Sequence, residues 1–447
     1  MNCRRLFLLC CIFMTACLPQ LSHACTTFCL ESNEALVVGK NFDWTPIDAL
    51  IVVNKRNVTK TAWVNPDSPE KQPASWTSKY GSVTFNSWGR EFPYSGMNEA
   101  GLVVSPMLLS LTEYPTPDAR PAISTIQWVQ YQLDTAATVA DVIASDAVLR
   151  ISNRYLTSPR HFFVCDSQGH CASIEFLHGV LVYHTQETMP LKVLANNSYS
   201  GDLGYWENEE IPVPNMYSSA QRFCTAAEML EDYDPETSGS AVDYTFNILS
   251  NVSFLSNMSQ GLNTRWSIAY DIQNQRINFY TLDNGEIRYC DMNSFDFSCQ
   301  TPVKVLDIQA DLSGDISDNF IDYTYEINRD LVEKASAIFN QPDEVLDALA
   351  AYPDTTECGG ACELYIEHRK IQYAKLSKDR KVVLKITGDD DFDRYSRIDL
   401  GPLSWRKASF NRKKNRLKVR AIVPAGLRPG IVPIWVGDCF GEIEVLP

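Results

Sequence analysis

Residues 25–44 read CTTFCLESNEALVVGKNFDW, and this stretch predicts two strands joined by a polar turn at residues 31–34. Apolar and alternating β-forming residues flank the turn on both sides, which is typical of a hairpin. Antiparallel pairing brings Lys40 and Asp43, near the end of the second strand, close to Cys25 at the start of the first. The alternative is that Lys40 and Asp43 form an ordinary ion pair at the surface.

Cys25 follows a segment that resembles a secretory signal. A short basic start and an apolar run over residues 6–17 lead to Ser22-His23-Ala24, with small residues at the positions that a signal peptidase inspects. Cleavage after Ala24 makes Cys25 the first residue. Its α-amine, with a reference pKa of roughly 7.7–8.0, then acts as a base for its own thiol. The sequence therefore predicts a signal over residues 1–24 and a periplasmic or secreted mature chain.

Two other interpretations of Cys25 stay open at this point. Many secreted proteins begin near a cysteine that is half of a disulfide. Residues 14–17 also faintly resemble a lipid-attachment box, and lipid attachment at Cys17 would leave Cys25 internal and without a free amine.

The composition excludes several classes of partner. The chain of 447 residues has 45% hydrophobic and 21% charged residues, as an ordinary globular protein has. Its formal charge of −16 becomes −18 when the signal, with two arginines and no acids, is removed. This balance argues against nucleic acid and anionic membranes as partners. No apolar run after the signal is long enough to span a bilayer.

Ten of the 14 cysteines lie outside the signal. The nearest pair is Cys165 with Cys171, which bracket a turn-like loop and predict a local disulfide; the next nearest pairs are Cys290 with Cys299 and Cys358 with Cys362. A zinc site is the rival interpretation, but no second Cys/His pair follows at finger or ribbon spacing. We expect neither a metal nor a cofactor.

Runs of same-type elements predict an α+β fold with antiparallel sheets inside and helices outside. Apolar residues recur at helical spacing over 123–133, 137–149, 219–230 and 242–249, between groups of short strands. The character changes after residue 315, where a helical connector gives way to short strands and Pro-Gly turns. The predicted division is a signal at 1–24, a catalytic domain at 25–320, a helical connector at 321–344 and a small β-sandwich-like domain at 345–447.

Basic residues are concentrated in this C-terminal region, at Arg406, Lys407, Arg412, Lys413, Lys414, Arg416, Lys418 and Arg420. A solvated face or an interdomain contact is the ordinary explanation for such a cluster. A patch that binds a polyanion is the alternative.

Two further polar sites have an ordinary and a functional interpretation. Asn196-Asn197 ends a short apolar run, so the pair is either a plain turn or the source of an amide for an oxyanion hole. Arg222 lies on an otherwise apolar helical face, where it either caps the helix through a salt bridge or reaches a buried site.

Several segments of the chain, taken in order, resemble the choloylglycine hydrolase family. They are Cys25-Thr26, Gly39-Lys40-Asn41-Phe42-Asp43-Trp44, Gly96-Met97-Asn98-Glu99-Ala100-Gly101-Leu102, Asn196-Asn197, Ser218-Ser219-Ala220-Gln221-Arg222-Phe223 and Trp266-Ser267-Ile268-Ala269-Tyr270-Asp271. That family contains bile salt hydrolases and penicillin V acylases, and it belongs to the N-terminal nucleophile hydrolases. The resemblance covers residues 25–320 and implies a four-layer αββα sandwich that hydrolyses a linear amide C–N bond.

The resemblance also implies a role for each site residue. Cys25 is the nucleophile and, through its amine, the base; Asp43 and Arg222 match active-site residues, and Asn196 matches the oxyanion asparagine. Lys40 stands where the family usually has arginine, so the charge is kept and the planar fork is lost. Leu108 stands where the family often has a second active-site asparagine, which removes one oxyanion donor.

Two functions follow as hypotheses. The first is a secreted amidase that forms an acyl-enzyme at Cys25 on penicillin V, an N-acyl homoserine lactone or a conjugated bile acid, with Phe28, Trp44, Met107 and Leu108 suited to a hydrophobic acyl group. The second is a non-catalytic binding protein with a decayed site, since Lys40 and Leu108 depart from the family pattern. Tetramers are common in the family, and a homo-oligomer is compatible with this chain.

Overall fold

A computed structural model describes most of the chain from Cys25 onward. The described residues are 25–44, 48–64, 70–152, 158–208, 218–254, 263–336, 342–359, 364–367, 369–372, 379–388, 398–425, 427–437 and 439–446. The predicted signal at 1–24, the alternative lipid site at Cys17 and the predicted disulfide partner Cys362 lie outside these residues.

Strands and helices occur in groups along the chain. The strands are β1 Thr26–Glu31, β2 Leu36–Trp44, β3 Leu50–Asn54, β4 Val58–Thr61, β5 Ser75–Thr77, β6 Ser82–Asn86, β7 Pro93–Asn98, β8 Val103–Leu108, β9 Ala122–Ile123, β10 Arg150–Ile151, β11 Arg160–Cys165, β12 Cys171–Leu177, β13 Val180–Thr185, β14 Val193–Leu194, β15 Asn263–Asp271, β16 Arg276–Thr281, β17 Arg288–Asp291, β18 Lys304–Asp307, β19 Gly314–Asp315, β20 Ile321–Asp322, β21 Glu357–Cys358, β22 Leu364–Glu367, β23 Lys370–Gln372, β24 Arg380–Gly388, β25 Ile398–Asp399, β26 Ser404–Asn411, β27 Arg416–Val423, β28 Gly430–Val436 and β29 Cys439–Leu446. The α-helices are α1 Thr125–Thr135, α2 Val139–Ser145, α3 Tyr199–Glu207, α4 Ser219–Glu231, α5 Ala241–Asn251, α6 Tyr325–Ser336 and α7 Asp343–Ala351. Short 3₁₀ turns occupy Gln186–Thr188, Met292–Ser294, Ser317–Asn319, Tyr352–Thr355 and Arg412–Lys414.

Two large sheets form the centre of the larger domain. One has the order β14-β1-β2-β15-β16-β17-β19, and the other has the order β13-β12-β11-β8-β7-β6-β3-β18-β20. Their facing sides share one apolar core, in which the rings of Phe85 and Phe279, one from each sheet, lie 5.6 Å apart. Tyr270 also donates a hydrogen bond to Ser95 of the opposite sheet, at 2.7 Å. Each fully buried phenylalanine contributes about 1.5–3 kcal/mol to folding.

Helices cover the outer sides of both sheets. Helix α5 packs against β2 and β15, whereas α1 packs against β7 and β8 of the other sheet. Ser124 caps α1 by accepting from the Gln127 amide, and Thr138 and Asp141 form a capping box at α2. The predicted α+β class is confirmed, and the predicted helices are present with ends shifted by a few residues.

The C-terminal region has a core of its own. Strands β22-β24-β27-β26 form one sheet and β23-β29-β28-β25 form the other. Leu384 and Val419 of the first sheet belong to the same buried cluster as Ile434 and Ile443 of the second. This cluster begins at Leu364 and is separate from the core of the larger domain.

The two cores divide the chain at a different place from the sequence prediction. The sequence predicts a boundary between residues 344 and 345, but Val345, Leu346 and Leu349 of α7 are part of the larger core. The apolar stripe of α7 packs there together with Val332 of α6. A helix with one apolar side must bury that side somewhere, and the nearer partner here is the larger domain.

The predicted cysteine pairs are corrected by the structure. Cys299 is bonded to Cys358, so neither the pair with Cys290 nor a pair between Cys358 and Cys362 forms. Cys165 and Cys171 face each other across β11 and β12, with their Sγ atoms 2.6 Å apart, as free thiols. The pairing of Cys299 depends on how β21 is placed beside β4, which sequence spacing does not reveal.

None of the described helices combines the length and the apolar run that crossing a bilayer requires.

Candidate active site

The site lies where β1, β2 and β15 run side by side in the seven-stranded sheet. Thr26 pairs with Asn41, so Cys25 is next to the end of β2. Asn41 in turn pairs with Ser267 of β15 and accepts its hydroxyl at 2.7 Å. The hairpin predicted from residues 25–44 is thus present, and it places Cys25 beside Asp43.

Asp43 is fully buried, and its two carboxylate oxygens differ. Oδ1 accepts a 2.5 Å hydrogen bond from the hydroxyl of Thr264 on β15. Oδ2 is buried and has no hydrogen-bond partner among the described residues. Burial raises the pKa of Asp43 to about 7, although Arg222, Thr264 and Lys40 oppose the shift. A buried acceptor without a donor costs about 1–3 kcal/mol, so a donor beside this oxygen would stabilise the ionised carboxylate.

Lys40 is also fully buried, so a surface ion pair with Asp43 is excluded. Its ammonium donates to Ser105 Oγ at 2.7 Å and to the Pro106 carbonyl at 3.0 Å, both on β8 of the opposite sheet. Burial lowers the pKa of Lys40 to about 8, against the attraction of a Cys25 thiolate and Asp43. Lys40 therefore carries a positive charge into the space between the sheets.

Neighbouring groups shift the pKa of the buried Cys25 thiol in opposite directions. Burial raises its pKa, and the carboxylate of Asp43 acts in the same direction. Lys40, a hydrogen bond from the Asp43 backbone and Arg222 all favour the thiolate. Formation of the thiolate is therefore unfavourable here without a base. Once formed, the thiolate is stabilised by the nearby charges of Lys40 and Arg222.

Arg222 reaches the site from α4, which packs against β1. One guanidinium nitrogen donates to the carbonyl of Cys25 at 2.5 Å and to Thr26 Oγ1 at 2.7 Å. The other donates to Asn196 Oδ1 at 2.9 Å. A salt bridge that only caps α4 is therefore ruled out, because the side chain is buried and holds the backbone at Cys25.

Asn196 is held from three sides. Its backbone amide donates to Ser219 Oγ at 2.7 Å, its Oδ1 accepts from Arg222, and its Nδ2 donates to the Leu108 carbonyl at 2.9 Å. The amide group is therefore fixed in orientation. An asparagine Nδ2 has two hydrogens, and within the described part of the chain one of them is bonded to Leu108, which leaves the other for a further acceptor.

Asn197 supports this arrangement without reaching Cys25. Its backbone amide donates to Ser219 Oγ at 2.8 Å, and its side chain donates to Asp202 at 2.7 Å. Ser219 itself donates to the second oxygen of Asp202 at 2.8 Å. Asn196 and Asn197 therefore do not form a plain solvent-facing turn.

All five predicted site residues, Cys25, Lys40, Asp43, Asn196 and Arg222, come together. Sequence reasoning missed Thr264, Ser105 and Ser219, which hold Asp43, Lys40 and Asn196 in place. Ser219 belongs to the segment 218–223, so its position near Arg222 was a usable signal. Thr264 and Ser105 have no local signal, because hydroxyl residues in strands are common.

Phe28 does not belong with the apolar residues expected around the substrate. It projects to the helix side of the sheet, where its ring lies against Gly39 and Thr245 of α5. Side chains alternate along a strand, so Cys25 and Thr27 face the other sheet while Phe28 faces the helices. Trp44 and Leu108 are half-buried, and Met107 is buried between the sheets.

A group of potential metal ligands lies farther along β1. The sulfur atoms of Cys29, Cys165 and Cys171 are within 4.8 Å of one another, and all three residues are buried. Thiolates suit soft metal ions. The cluster lies apart from the contacts that join Lys40, Asp43 and Arg222 to Cys25.

Chemically, the arrangement joins a thiol, two buried cations, a carboxylate with a free oxygen and an oriented amide. These are the parts that acyl transfer to a thiol uses: a nucleophile, charge stabilisation and an oxyanion donor. The one part missing from the described side chains is a base that touches the thiol.

Comparison with known proteins agrees with this picture. Residues 25–200 match the model of the linear amide C-N hydrolases, choloylglycine hydrolase family. A penicillin V acylase from Pectobacterium atrosepticum is 24% identical over 324 residues, which are 62% of this chain and 83% of that protein.

Solved structures show the same fold. A penicillin V acylase from Agrobacterium tumefaciens superposes with a TM-score of 0.57 and 24% identity, over 67% of this chain and 98% of that one. A conjugated bile acid hydrolase from Clostridium perfringens superposes with a TM-score of 0.55 and 18% identity, over 64% of this chain and 98% of that one.

Proposed function

We propose that this chain is a member of the linear amide C-N hydrolases, choloylglycine hydrolase family, whose model matches residues 25–200, and that Cys25 is its N-terminal nucleophile. The chain is a hydrolase that acts on C–N bonds in linear amides. We place it in the four-layer αββα class of N-terminal nucleophile hydrolases, secreted or periplasmic after cleavage behind Ala24. The substrate we propose is an N-acyl amide with a hydrophobic acyl group.

One observation carries the assignment of Cys25. Asp43 Oδ2 is a buried acceptor without a partner among the described residues, and Asp43 lies close enough to Cys25 to act on its thiol. Cleavage before Cys25 releases an amine, and the amine supplies the donor that Oδ2 lacks. The same amine is the base that the side chains do not provide.

The proposed mechanism moves one proton and exchanges one bond at a time. The α-amine takes the thiol proton, and the thiolate attacks the amide carbon. The oxyanion accepts from the remaining N–H of Asn196. The intermediate collapses when the α-ammonium protonates the leaving nitrogen, which departs as an amine and leaves a thioester on Cys25. Water, activated by the α-amine, then hydrolyses the thioester to release the acid.

The other side chains keep these groups in place. Lys40 and Arg222 stabilise the thiolate by charge, and Arg222 also holds the Cys25 carbonyl. Leu108 contributes its backbone carbonyl, which orients the Asn196 amide, so its side chain need not be polar. Loss of one oxyanion donor typically lowers the rate by about 10²–10³-fold. A rate loss of this size is expected if no other group replaces the second asparagine of the family at Leu108.

The direct test is mass spectrometry of the secreted protein together with a substrate panel. We expect Cys25 as the first residue, and release of free amine from penicillin V, an N-acyl homoserine lactone or a glycine-conjugated bile acid. Brief incubation with substrate should add the mass of the acyl group to the N-terminal peptide. A different first residue, or an acyl group on another peptide, contradicts the proposal.

Thr264 offers a test of how Asp43 is held. We expect Thr264→Val to lower kcat by about 10- to 100-fold, because a hydrogen bond to a charged group contributes about 1.5–3 kcal/mol. Thr264→Ser keeps the hydroxyl and should stay within a few-fold of the wild type. The measurement is steady-state hydrolysis of the best substrate in the panel. Equal rates for the valine and serine variants would show that this hydroxyl is not needed.

The pH profile tests the charges at the site. Asp43 is ionised above a pKa of about 7 and Lys40 is charged below a pKa of about 8. We therefore expect kcat/KM to be bell-shaped. The acid limb reflects ionisation of Asp43 and loss of the proton from the α-amine, which must be free to act as the base, and the alkaline limb reflects loss of the Lys40 charge. Lys40→Arg should remove the alkaline limb, because a guanidinium does not titrate in this range. An alkaline limb unchanged by Lys40→Arg would assign it to another group.

A further inference from the structure

Among the described residues, the C-terminal domain contacts the larger domain through the sheet β23-β29-β28-β25 and through Arg428, which pairs with Glu31 at 2.7 Å. Trp435 of β28 packs against Tyr80, with ring centroids 4.4 Å apart, and Asp399 of β25 pairs with Lys79 at 2.5 Å. The other sheet, which contains β24, β26 and β27, packs through the separate apolar core on the side of the β23-β29-β28-β25 sheet that faces away from the larger domain. Its outer face therefore points away from the larger domain.

That outer face is strongly basic. We define the basic face as the residues of this sheet whose side chains point outward and carry positive charge: Lys381, Lys385, Lys407, Arg416, Lys418 and Arg420. Residues 364–447 hold 18 lysines and arginines against 10 acidic residues, whereas the rest of the chain holds 21 against 45. The charge is thus segregated to one domain of an acidic protein.

The register places like charges directly opposite each other. Lys418 lies opposite Lys385, and Arg420 lies opposite Lys407. Directly opposed like charges destabilise a sheet. Glu367 compensates Lys385 and Arg416, at 2.6 and 3.5 Å, but no carboxylate in the described part of the chain pairs with Lys407, Lys418 or Arg420. The face carries an electrostatic cost that folding does not explain.

We propose that the basic face binds a linear anionic polysaccharide, a sugar chain with repeated sulfate, phosphate or carboxylate groups. Arg416, Lys418 and Arg420 alternate along β27, so their charges recur about every 7 Å along one line. Lys385 and Lys407 flank that line from the neighbouring strands. A row of cations at regular spacing fits a chain of repeated anionic groups.

Two features favour a sugar chain over a membrane. Tyr365, which is 71% exposed, lies on the same side of β22 as Glu367 and offers a flat ring beside the cations. Proteins that bind lipid surfaces add apolar side chains that enter the bilayer. In the described part of this face the exposed aliphatic side chain is Val383 alone. The expected secretion of the chain would bring it to such polysaccharides.

The test uses the full mature chain with dextran sulfate as the probe and neutral dextran as its uncharged match. We expect binding to dextran sulfate only, with an affinity that falls linearly with salt concentration on a log–log plot. The triple variant Lys407→Gln/Lys418→Gln/Arg420→Gln should bind at least about tenfold more weakly, with the slope reduced by about 2 for three lost contacts. Its thermal midpoint should not fall, because like-charge pairs are removed.

The matched control removes three exposed or half-exposed lysines from the larger domain, as Lys71→Gln/Lys304→Gln/Lys334→Gln. It should bind dextran sulfate within about twofold of the wild type at the same salt concentration. Both triple variants should hydrolyse the acyl amide at the wild-type rate. If the control variant bound dextran sulfate as weakly as the basic-face variant, the loss of affinity would follow from net charge alone, and the proposal would be overturned.

Three other outcomes also overturn it. The wild type does not bind dextran sulfate, or it binds only vesicles that contain phosphatidylglycerol, which would make the partner a membrane. Alternatively, sedimentation shows that the wild type is a dimer and that the Lys407→Gln/Lys418→Gln/Arg420→Gln variant is a monomer, which would make the partner a second copy of this chain.

Discussion

Replacement of Cys25 by alanine should lower kcat/KM by about 10⁴-fold or more while leaving the protein folded. The reason is that the thiol forms the covalent bond in the proposed mechanism, and removal of a nucleophile lowers the rate more than removal of any group that assists it. Lys40, Asp43 and Arg222 all act on this sulfur, and none of them can replace it. The measurement is amine release from the best substrate, with circular dichroism as the check on folding.

Cys290→Ala is the matched control for this change. Cys290 is a buried free thiol on β17 of the same sheet, away from the contacts around Cys25. The same atom is removed in both variants, and both leave a small cavity whose cost is about 1 kcal/mol. We expect the control to keep activity within about threefold. If Cys25→Ala also kept it, the nucleophile would be a different group.

A second large effect should follow when the residue before Cys25 is retained. A chain with a removable leader that ends directly before Cys25 should hydrolyse the substrate at least about 10³-fold more slowly than the same chain after the leader is cut. An amide nitrogen cannot accept the thiol proton, and burial raises the pKa of the Cys25 thiol. Asp43 Oδ2 also lacks a hydrogen-bond donor among the described residues, and in the proposed mechanism it gains one when the amine is released.

Activity is measured on one preparation before and after cleavage, with mass spectrometry of the first residue at each step. The same leader on Cys25→Ala serves as the control, and its cleavage should produce no activity. If the uncut chain were as active as the cut one, the base would have to be another group, and Asp43, with its raised pKa, would be the next to examine.

Part of this site was predictable because its chemistry is local. An N-terminal cysteine combines nucleophile and base on one residue, so the position of Cys25 behind a predicted signal already suggests the reaction proposed above. The hairpin over residues 25–44 was predictable for the same reason, since a period of two and a polar turn are read from neighbouring residues. Helices α4 and α5 followed from their own spacing.

The partners of these residues were not predictable, because they depend on which strands become neighbours. Thr264 is 221 positions from Asp43 and reaches it through the pairing of β2 with β15. Ser105 meets Lys40 across two sheets. The disulfide from Cys299 to Cys358 likewise depends on where a distant segment packs.

The sequence by itself determined the α+β class and the presence of a basic C-terminal region and predicted the reacting atoms, since each rests on residue type and local spacing. Only the tertiary structure decided that Lys40 and Asp43 are buried, that Asp43 has an oxygen without a partner among the described residues and that the basic side chains share one outward face. Burial and strand order arise from contacts between residues far apart in the chain, and those contacts set the pKa of a group as much as its chemical type does.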